Sequence, residues 1–277
     1  MNISFVIGLV LCFVLVIFGI VVQLGPFAID FGAIMNFVDV QSLLITVGGT
    51  MAALMTAFPM KDFLKMFQHF PIILGLQKAK TDPMYYIDVM TDLSQEARKK
   101  GLLALEDRVA EFEDAFLRDS VMLIVDAMEP DKVREQLDNE MSAIESRHAQ
   151  SWSLYDKGAA LAPGFGMIGT LIGLINMLAN MNFSAEGGAE SLAANMAIAL
   201  VTTFYGTMMA NAIFLPAGNQ LRMAHEHEML CKDIIIEGII SIQAGENPRH
   251  INEKLMSYLT RKDREKHTAA SAEGSAE

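Results

Sequence analysis

The chain has 277 residues, a formal net charge of −12 and 52% hydrophobic residues. That is enough for one or two ordinary domains, and the acidic balance excludes a nucleic-acid partner held by phosphate attraction. Mean hydropathy is +0.32, and the apolar residues stand in blocks, which is a membrane signal.

In chain order, the first block is 3–22, "ISFVIGLVLCFVLVIFGIVV", without a charge. No Lys or Arg precedes it, it is too long for a signal-peptide core, and no small-x-small site follows, so an uncleaved span is expected. A second uncharged block is 40–58, a third 158–181 and a fourth 192–216. Each is long enough, at 1.5 Å rise per residue, to cross a hydrocarbon core of ~30 Å. Four such blocks together argue against buried core helices.

Thirteen of the 21 basic residues fall in 59–157 and eight in 217–277, with none before Lys61 or between 158 and 221. The loops 23–37 and 182–191 carry only Asp30, Glu186 and Glu190. By the positive-inside rule those loops are external, and both termini and the long loop are cytoplasmic; Lys61, Lys65, Lys157 and Arg222 flank the spans.

Residues 59–157 read as several helices. Thr81-Asp82-Pro83 starts one, with Ile87, Met90, Leu93 and Ala97 on one stripe and Gly101 as its stop after "RKK". Pro130 opens another, with Val133, Leu137, Met141, Ile144 and His148 on a stripe and no breaker before the third span. After Pro216 the pattern resumes through Leu221, Ala224, Ile234, Ile235, Ile239 and Ile242, until Gly245. Asn247-Pro248 then starts a short helix with Ile251, Leu255 and Leu259. The expected fold is all-α: a polytopic membrane protein with four transmembrane helices and a helical cytoplasmic domain. Its layout is 1–58 (spans one and two with a short external loop), 59–157 (cytoplasmic helices) and 158–216 (spans three and four). Cytoplasmic C-terminal helices follow at 217–267, and 268–277 is a disordered tail.

"APGFGMIGTLIG" (162–173) contains Gly164-x-Gly166-x-x-Gly169, and Glu190 meets the crude spacing of a dinucleotide fingerprint. That fingerprint needs a preceding strand and a helix N-terminus in water, and the third span offers neither. Small residues that let helices approach closely explain Gly164, Gly166, Gly169 and Gly173 better. "HEHE" (225–228) puts His225 and His227 about 200° apart around a helix, so a solvated face is expected rather than a metal. The run "EFEDAF" (111–116) is likewise read as a solvated helical face. Cys12 and Cys231 give no disulfide framework or zinc spacing, and no nucleophile–base set appears. No catalytic residue, metal or cofactor is expected.

Spans three and four hold Thr170, Asn176, Asn180, Asn195, Thr202, Thr203, Tyr205, Thr207 and Asn211, but no Asp, Glu, Lys, Arg or His. Thr170 and Thr203 each lie about twelve residues, or ~18 Å, from one end of their antiparallel spans, near mid-membrane. There hydroxyls line a path, bond across helices, or satisfy themselves on their own backbone. Ion carriers usually need an ionisable group; if this chain moves ions, another chain must supply the carboxylate. Pro163 and Pro216 stand near the cytoplasmic ends of the two spans, where a proline frees a carbonyl and permits a hinge. In "EARKKGLLALEDR" (96–108), Arg98, Lys99 and Lys100 face Glu106 and Asp107 across a glycine break. Such opposed patches suit either docking to a complementary partner or ordinary surface.

"EARKKGLLALED" (96–107), "APGFGMIGTLIGLINMLANM" (162–181), "MAIALVTTFYGTMMAN" (196–211) and "FLPAGNQL" (214–221) carry a resemblance to the MotA/PomA family. That family supplies the larger subunit of the bacterial flagellar stator, and the similarity reaches "QAGENPRHI" (243–251). The resemblance implies an inner-membrane ring of five copies around two copies of MotB, whose single helix supplies the ion-carrying aspartate. It implies torque on the rotor protein FliG, driven by inward protons or sodium ions; the sequence leaves the ion open. The family's hinge prolines fall on Pro163 and Pro216, and its pore hydroxyls on Thr170 and Thr203. Its rotor-contacting charges fall on Arg98 and Glu106, with Lys99 and Asp107 as neighbours. One departure is Ala160, where some members carry an acid. An ExbB/TolQ-type energiser of the outer membrane and a non-conducting scaffold are the alternatives; the uncharged pair 3–22 and 40–58 favours the motor type.

Overall fold

The computed structural model describes residues 3–23, 28–75, 82–179 and 188–265. The expectations for Thr81, Asn180, Glu186, the Glu190 side chain and the tail 268–277 fall outside the described residues. The chain is an all-α, multi-pass membrane protein: four helices are long and apolar enough to cross a bilayer. It divides into two compact units, 1–77 with 149–222, and 78–148 with 223–277. These borders follow packing, so residues 59–77 and 149–157 belong with the spans.

In the first unit, α1 (Ile3–Val21) is followed by a two-residue antiparallel pair, β1 (Val22–Gln23) and β2 (Ala28–Ile29), with Val22 opposite Ile29. Asp30 then caps a 3-10 turn over Phe31–Phe37, its carboxylate accepting the Gly32 N–H at 2.8 Å. The second span is built from α2 (Val40–Leu43), a π turn (Leu44–Gly48) and α3 (Gly49–Ala57). Asp39 starts it by accepting the Ser42 N–H at 2.6 Å, as an N-cap acid does. Beyond Pro59, α4 (Met60–Gln68) and α5 (Phe70–Ile73) lay Phe63 and Ile73 into a core with Leu54, Leu154, Tyr155 and Phe214.

The third span lies in α9 (Pro130–Ala179), one helix of 50 residues with Pro163 inside it. The fourth begins as α10 (Gly188–Met208), widens into a π turn (Met209–Phe214) and continues as α11 (Leu215–Gln243). Pro216 has no N–H for the Ala212 carbonyl four residues earlier. The π turn lies directly before it, and the Leu215 N–H reaches back to the Ala210 carbonyl, so the backbone bonding is re-spaced where a proline would break an α-helix.

In the second unit, α6 (Pro83–Lys100) starts on Asp82, whose side chain accepts the Met84 N–H, and ends on Gly101 at φ 88°. A short 3-10 turn leads to α7 (Glu106–Val109) and then α8 (Ala115–Val125). The final helix α12 (Pro248–Met256) is capped by Asn247. Most of the expected stripe positions turn inward: Ile87, Met90, Leu93, Val133, Leu137, Ile234, Ile235, Ile239, Ile251 and Leu255 form one buried core, whereas Ala224 is exposed and Leu221 packs in the first unit's core. "EFEDAF" departs from its expectation. Residues 111–113 form the turn between α7 and α8, Phe112 and Phe116 are buried, and Asp114 caps α8 at Phe116. Two buried rings and one capping acid thus hold the run, and only Glu111 and Glu113 are exposed acids.

Candidate functional site

Glycine makes the crossing of α9 and α10. A Cβ on Gly166 would stand 3.0 Å from the Thr202 carbonyl oxygen, and one on Gly206 2.6 Å from that of Ala162. A Cβ on Gly173 would meet the Asn195 carbonyl oxygen at 2.7 Å, and one on Gly169 the Thr202 side chain at 2.4 Å. Here the neighbour is mostly backbone, so only hydrogen fits. Gly164 is not part of this seam, for a Cβ there would meet nothing within 4 Å.

The close approach brings Thr170 and Thr203 together, with their hydroxyl oxygens 2.6 Å apart. Thr170 Oγ1 also lies 3.0 Å from the Ala199 carbonyl oxygen and 3.1 Å from that of its own-helix Gly166. Thr203 Oγ1 lies 3.3 Å from the Ala199 carbonyl oxygen. Each hydroxyl therefore reaches its own helix backbone, and the two also face each other across the helices. Two protons serve these four contacts, so lone pairs remain for a further donor or a cation. Thr203 is exposed and Thr170 half-buried, which puts the pair at an edge of the crossing rather than inside it. Thr202, in contrast, is buried and lies 2.9 Å from the Ala199 carbonyl oxygen. Thr207 and Asn211 bond to carbonyls of their own helix.

A second polar stripe, outside the residues the sequence singles out, runs along the second span. Ser42, Thr46 and Thr50 recur every fourth residue on the second span and are all fully buried. Ser42 and Thr46 donate to the Ile198 and Thr202 carbonyls of α10, each at 3.4 Å. The i, i+4, i+8 spacing was a readable signal. At the end of that stripe the Tyr205 hydroxyl donates to the Phe37 carbonyl and accepts the Asp39 N–H.

In the other unit, the charges around the glycine break sort into two sets. Glu96 is the centre of a clasp: Lys100 at 2.8 Å and Arg108 at 3.1 Å, with Arg108 also 2.8 Å from Glu111. Hydrogen bonding to Lys100, then its charge and the Arg108 contacts, hold the Glu96 carboxyl below its ordinary range. Partial burial opposes the Arg108 charge, but Glu111 and Glu96 outweigh it and raise its pKa. Arg98, Lys99, Glu106 and Asp107 are exposed, and among the described residues none of them has an ion pair or side-chain hydrogen bond. The clasp fixes the bend and leaves these four charges outward.

Of the "HEHE" residues, Glu226 and His227 are exposed as expected, but His225 is half-buried, its Nδ1 3.0 Å from Nδ1 of His148. Seventy-seven residues separate the two rings, so no local pattern could reveal the contact. No group of three metal-ligating side chains exists among the described residues.

Residues 108–234 match the model of the MotA/TolQ/ExbB proton channel family. This range includes Pro163, Thr170, Thr203 and Pro216 and stops short of Arg98, Lys99, Glu106 and Asp107. Motility protein A of Treponema pallidum (strain Nichols) is 37% identical over 264 residues, 95% of this chain and 96% of that protein. Chemotaxis protein PomA of Vibrio alginolyticus is 35% identical over 260 residues, 94% of this chain and 96% of that protein. The flagellar MotAB stator complex from Bacillus subtilis contains a chain with TM-score 0.82 and 28% identity, covering 95% of this chain and 98% of that one. With four apolar spans, a carboxylate-free crossing that carries paired hydroxyls, and this likeness along nearly its whole length, the chain belongs to the MotA/PomA family of flagellar stator subunits.

Proposed function

We propose that the chain works with a MotB-like partner whose carboxylate carries the ion past Thr170 and Thr203, and that the resulting movement turns the rotor. The supporting observation is the 2.6 Å hydroxyl pair on two spans that contain no Asp, Glu, Lys, Arg or His. Ion carriers usually rely on such a group, so in this reading the partner brings it, and the exposed edge at Thr203 is where it would meet the pair. Five copies around the partner, with both termini cytoplasmic in the inner membrane, complete this reading. The basic residues flanking the spans support that orientation.

The exposed charges Arg98, Lys99, Glu106 and Asp107 are read as the surface that meets FliG, since unpaired charges steer docking without loss of internal ion pairs. Pro163 and Pro216 are read as the points where span movement becomes movement of the cytoplasmic helices; the π turn before Pro216 supports this, since single π turns inside α-helices are frequent at functional sites. We read the chain as an ion-channel subunit rather than an enzyme, with protons or sodium ions as cargo. Co-expression with a MotB-like chain should raise proton or sodium flux above that of either chain alone. Flux no higher than in the separate chains, with the complex formed, would identify a scaffold.

A further inference from the structure

A cavity of about 180 Å³ lies in the second unit between the C-terminal ends of α6 and α11, walled by Ser94, Arg98, Gly101, Leu102, Gln243 and Glu246 among others. Two of these residues carry the buried side-chain oxygens that have no hydrogen-bond donor among the described residues: Gln243 Oε1 and Glu246 Oε2. Their other ends are held. Gln243 Nε2 donates to the Met128 carbonyl at 2.5 Å, which fixes the amide with its oxygen as the free end. Glu246 Oε1 stands 3.6 Å from Lys254 Nζ, which is itself drawn to Glu237 at 2.5 Å and donates to Ser241 at 3.0 Å.

Buried acceptors are matched by donors in nearly all folded proteins, and a carboxylate oxygen has the strongest need of one. Among donor-bearing side chains in this wall, the Ser94 hydroxyl is committed to the Thr91 carbonyl at 2.8 Å, and the Gln243 amide to Met128. Arg98 remains. It has no ion pair or side-chain hydrogen bond among the described residues, and its five N–H donors form a planar fork able to serve two acceptors at once. Gly101, at φ 88°, presents no Cβ at the edge of the cavity.

We propose that this cavity is a seat for the Arg98 guanidinium, with Gln243 Oε1 and Glu246 Oε2 as its acceptors. Arg98 then has two positions: extended, as an exposed charge, and seated, where it is withdrawn from any partner. Gln243 and Glu246 are positioning residues that set the balance. The consequence for torque rests on the reading of Arg98 as a rotor contact; the seat itself does not.

The test uses the purified full chain with its MotB-like partner and phenylglyoxal, an arginine reagent, read peptide by peptide by mass spectrometry. Arg98 should react about tenfold faster in Glu246→Gln and in Gln243→Leu than in the unaltered chain, the change expected for one lost charge-assisted hydrogen bond. Arg249 should keep its rate. Gln243→Glu, which keeps the shape and adds a charge, should slow Arg98 further. Equal Arg98 rates in all four chains, the outcome of a cavity that holds water only, overturn the seat, as does a faster rate in Gln243→Glu. Swimming separates the two readings. Normal motility in Arg98→Ala with the protection pattern intact removes the rotor contact and keeps the seat. Lost motility with uniform rates does the reverse.

Discussion

The two units invert each other's packing. The second buries large aliphatic side chains (Ile87, Met90, Leu93, Leu105 and Leu117 are 0% exposed) and turns most of its charges outward. The first leaves Phe18, Leu171, Ile175 and Leu200 about 60% exposed, and fully buries Ser42, Thr46, Thr50 and Thr202. Water drives the former arrangement by expelling apolar area. In lipid that drive is absent, so close backbone approach and interhelical hydrogen bonds hold the spans together. The inversion teaches where each unit is fragile: the spans to added atoms, the helices of the second unit to lost ones.

Gly206→Leu should produce the largest effect. The added Cβ begins 2.6 Å from the Ala162 carbonyl oxygen, a backbone atom that no rotamer change can move. The third and fourth spans must separate, and the hydroxyl pair separates with them. Loss of both complex assembly and motility is expected, measured by co-purification with the partner and by swimming. Assembly at the unaltered level would show that the glycine seam is not what joins the spans.

Truncation should sort in the opposite way. Leu93→Ala removes a fully buried side chain and should cost the second unit about 2–5 kcal/mol, read by hydrogen exchange of α6 in the full chain. Leu200→Ala, at a position 65% exposed on the first unit, should change stability by less than about 0.5 kcal/mol. Equal losses at the two positions would remove the contrast between the units.

Smaller in stability but large in function is the hydroxyl pair. An interhelical hydrogen bond in a membrane is worth about 0.6 kcal/mol, so Thr170→Val and Thr203→Val should leave assembly intact. Ion flux should nonetheless fall about tenfold or more, because a hard cation losing water needs replacement oxygens at that level, and a proton needs a relay. Thr170→Val should harm sodium-driven swimming more than proton-driven swimming, and Thr→Ser should be mild at both positions. Flux at the unaltered level in both valine variants, across a range of sodium concentrations, would reduce the pair to helix packing.

Much of this was legible in the sequence because the determining signals are local. Asp82, Gly101, Gly245 and Asn247 start and stop helices through their own side chains or φ angles, and the 3.6-residue stripes mark which face is buried. Thr170 and Thr203 could be paired in depth by counting residues from the ends of antiparallel spans. Their 2.6 Å contact depends on glycines of both helices and so appears only in three dimensions. Pro216 signals a disturbed backbone in the sequence, but that the helix answers with a π turn rather than a break appears only in the structure. The Ser42, Thr46 and Thr50 stripe was readable, but serine and threonine in an uncharged span pass for ordinary apolar filling. The clasp around Glu96 and the Gln243–Glu246 cavity join residues from different helices, and charge patterning along the chain does not distinguish paired charges from unpaired ones.

The smallest effect expected is a pH dependence confined to the second unit. Burial holds His148 below its ordinary value of 6.5; Glu228 opposes the shift, while His225, Arg147 and Lys232 add to it. A histidine that is harder to protonate in the folded chain costs nothing above pH 6.5, where both states are neutral. As pH falls below 6.5 the unfolded chain takes up the proton first, so stability declines until the folded-state value is passed and then levels off. Hydrogen exchange of α11 in the full chain should therefore accelerate as pH is lowered through this window, after correction for intrinsic exchange. His148→Gln should flatten the decline, since the uncharged amide binds no proton in either state. An unchanged slope in that variant would mean that the His148–His225 contact does not set the acid sensitivity of this unit.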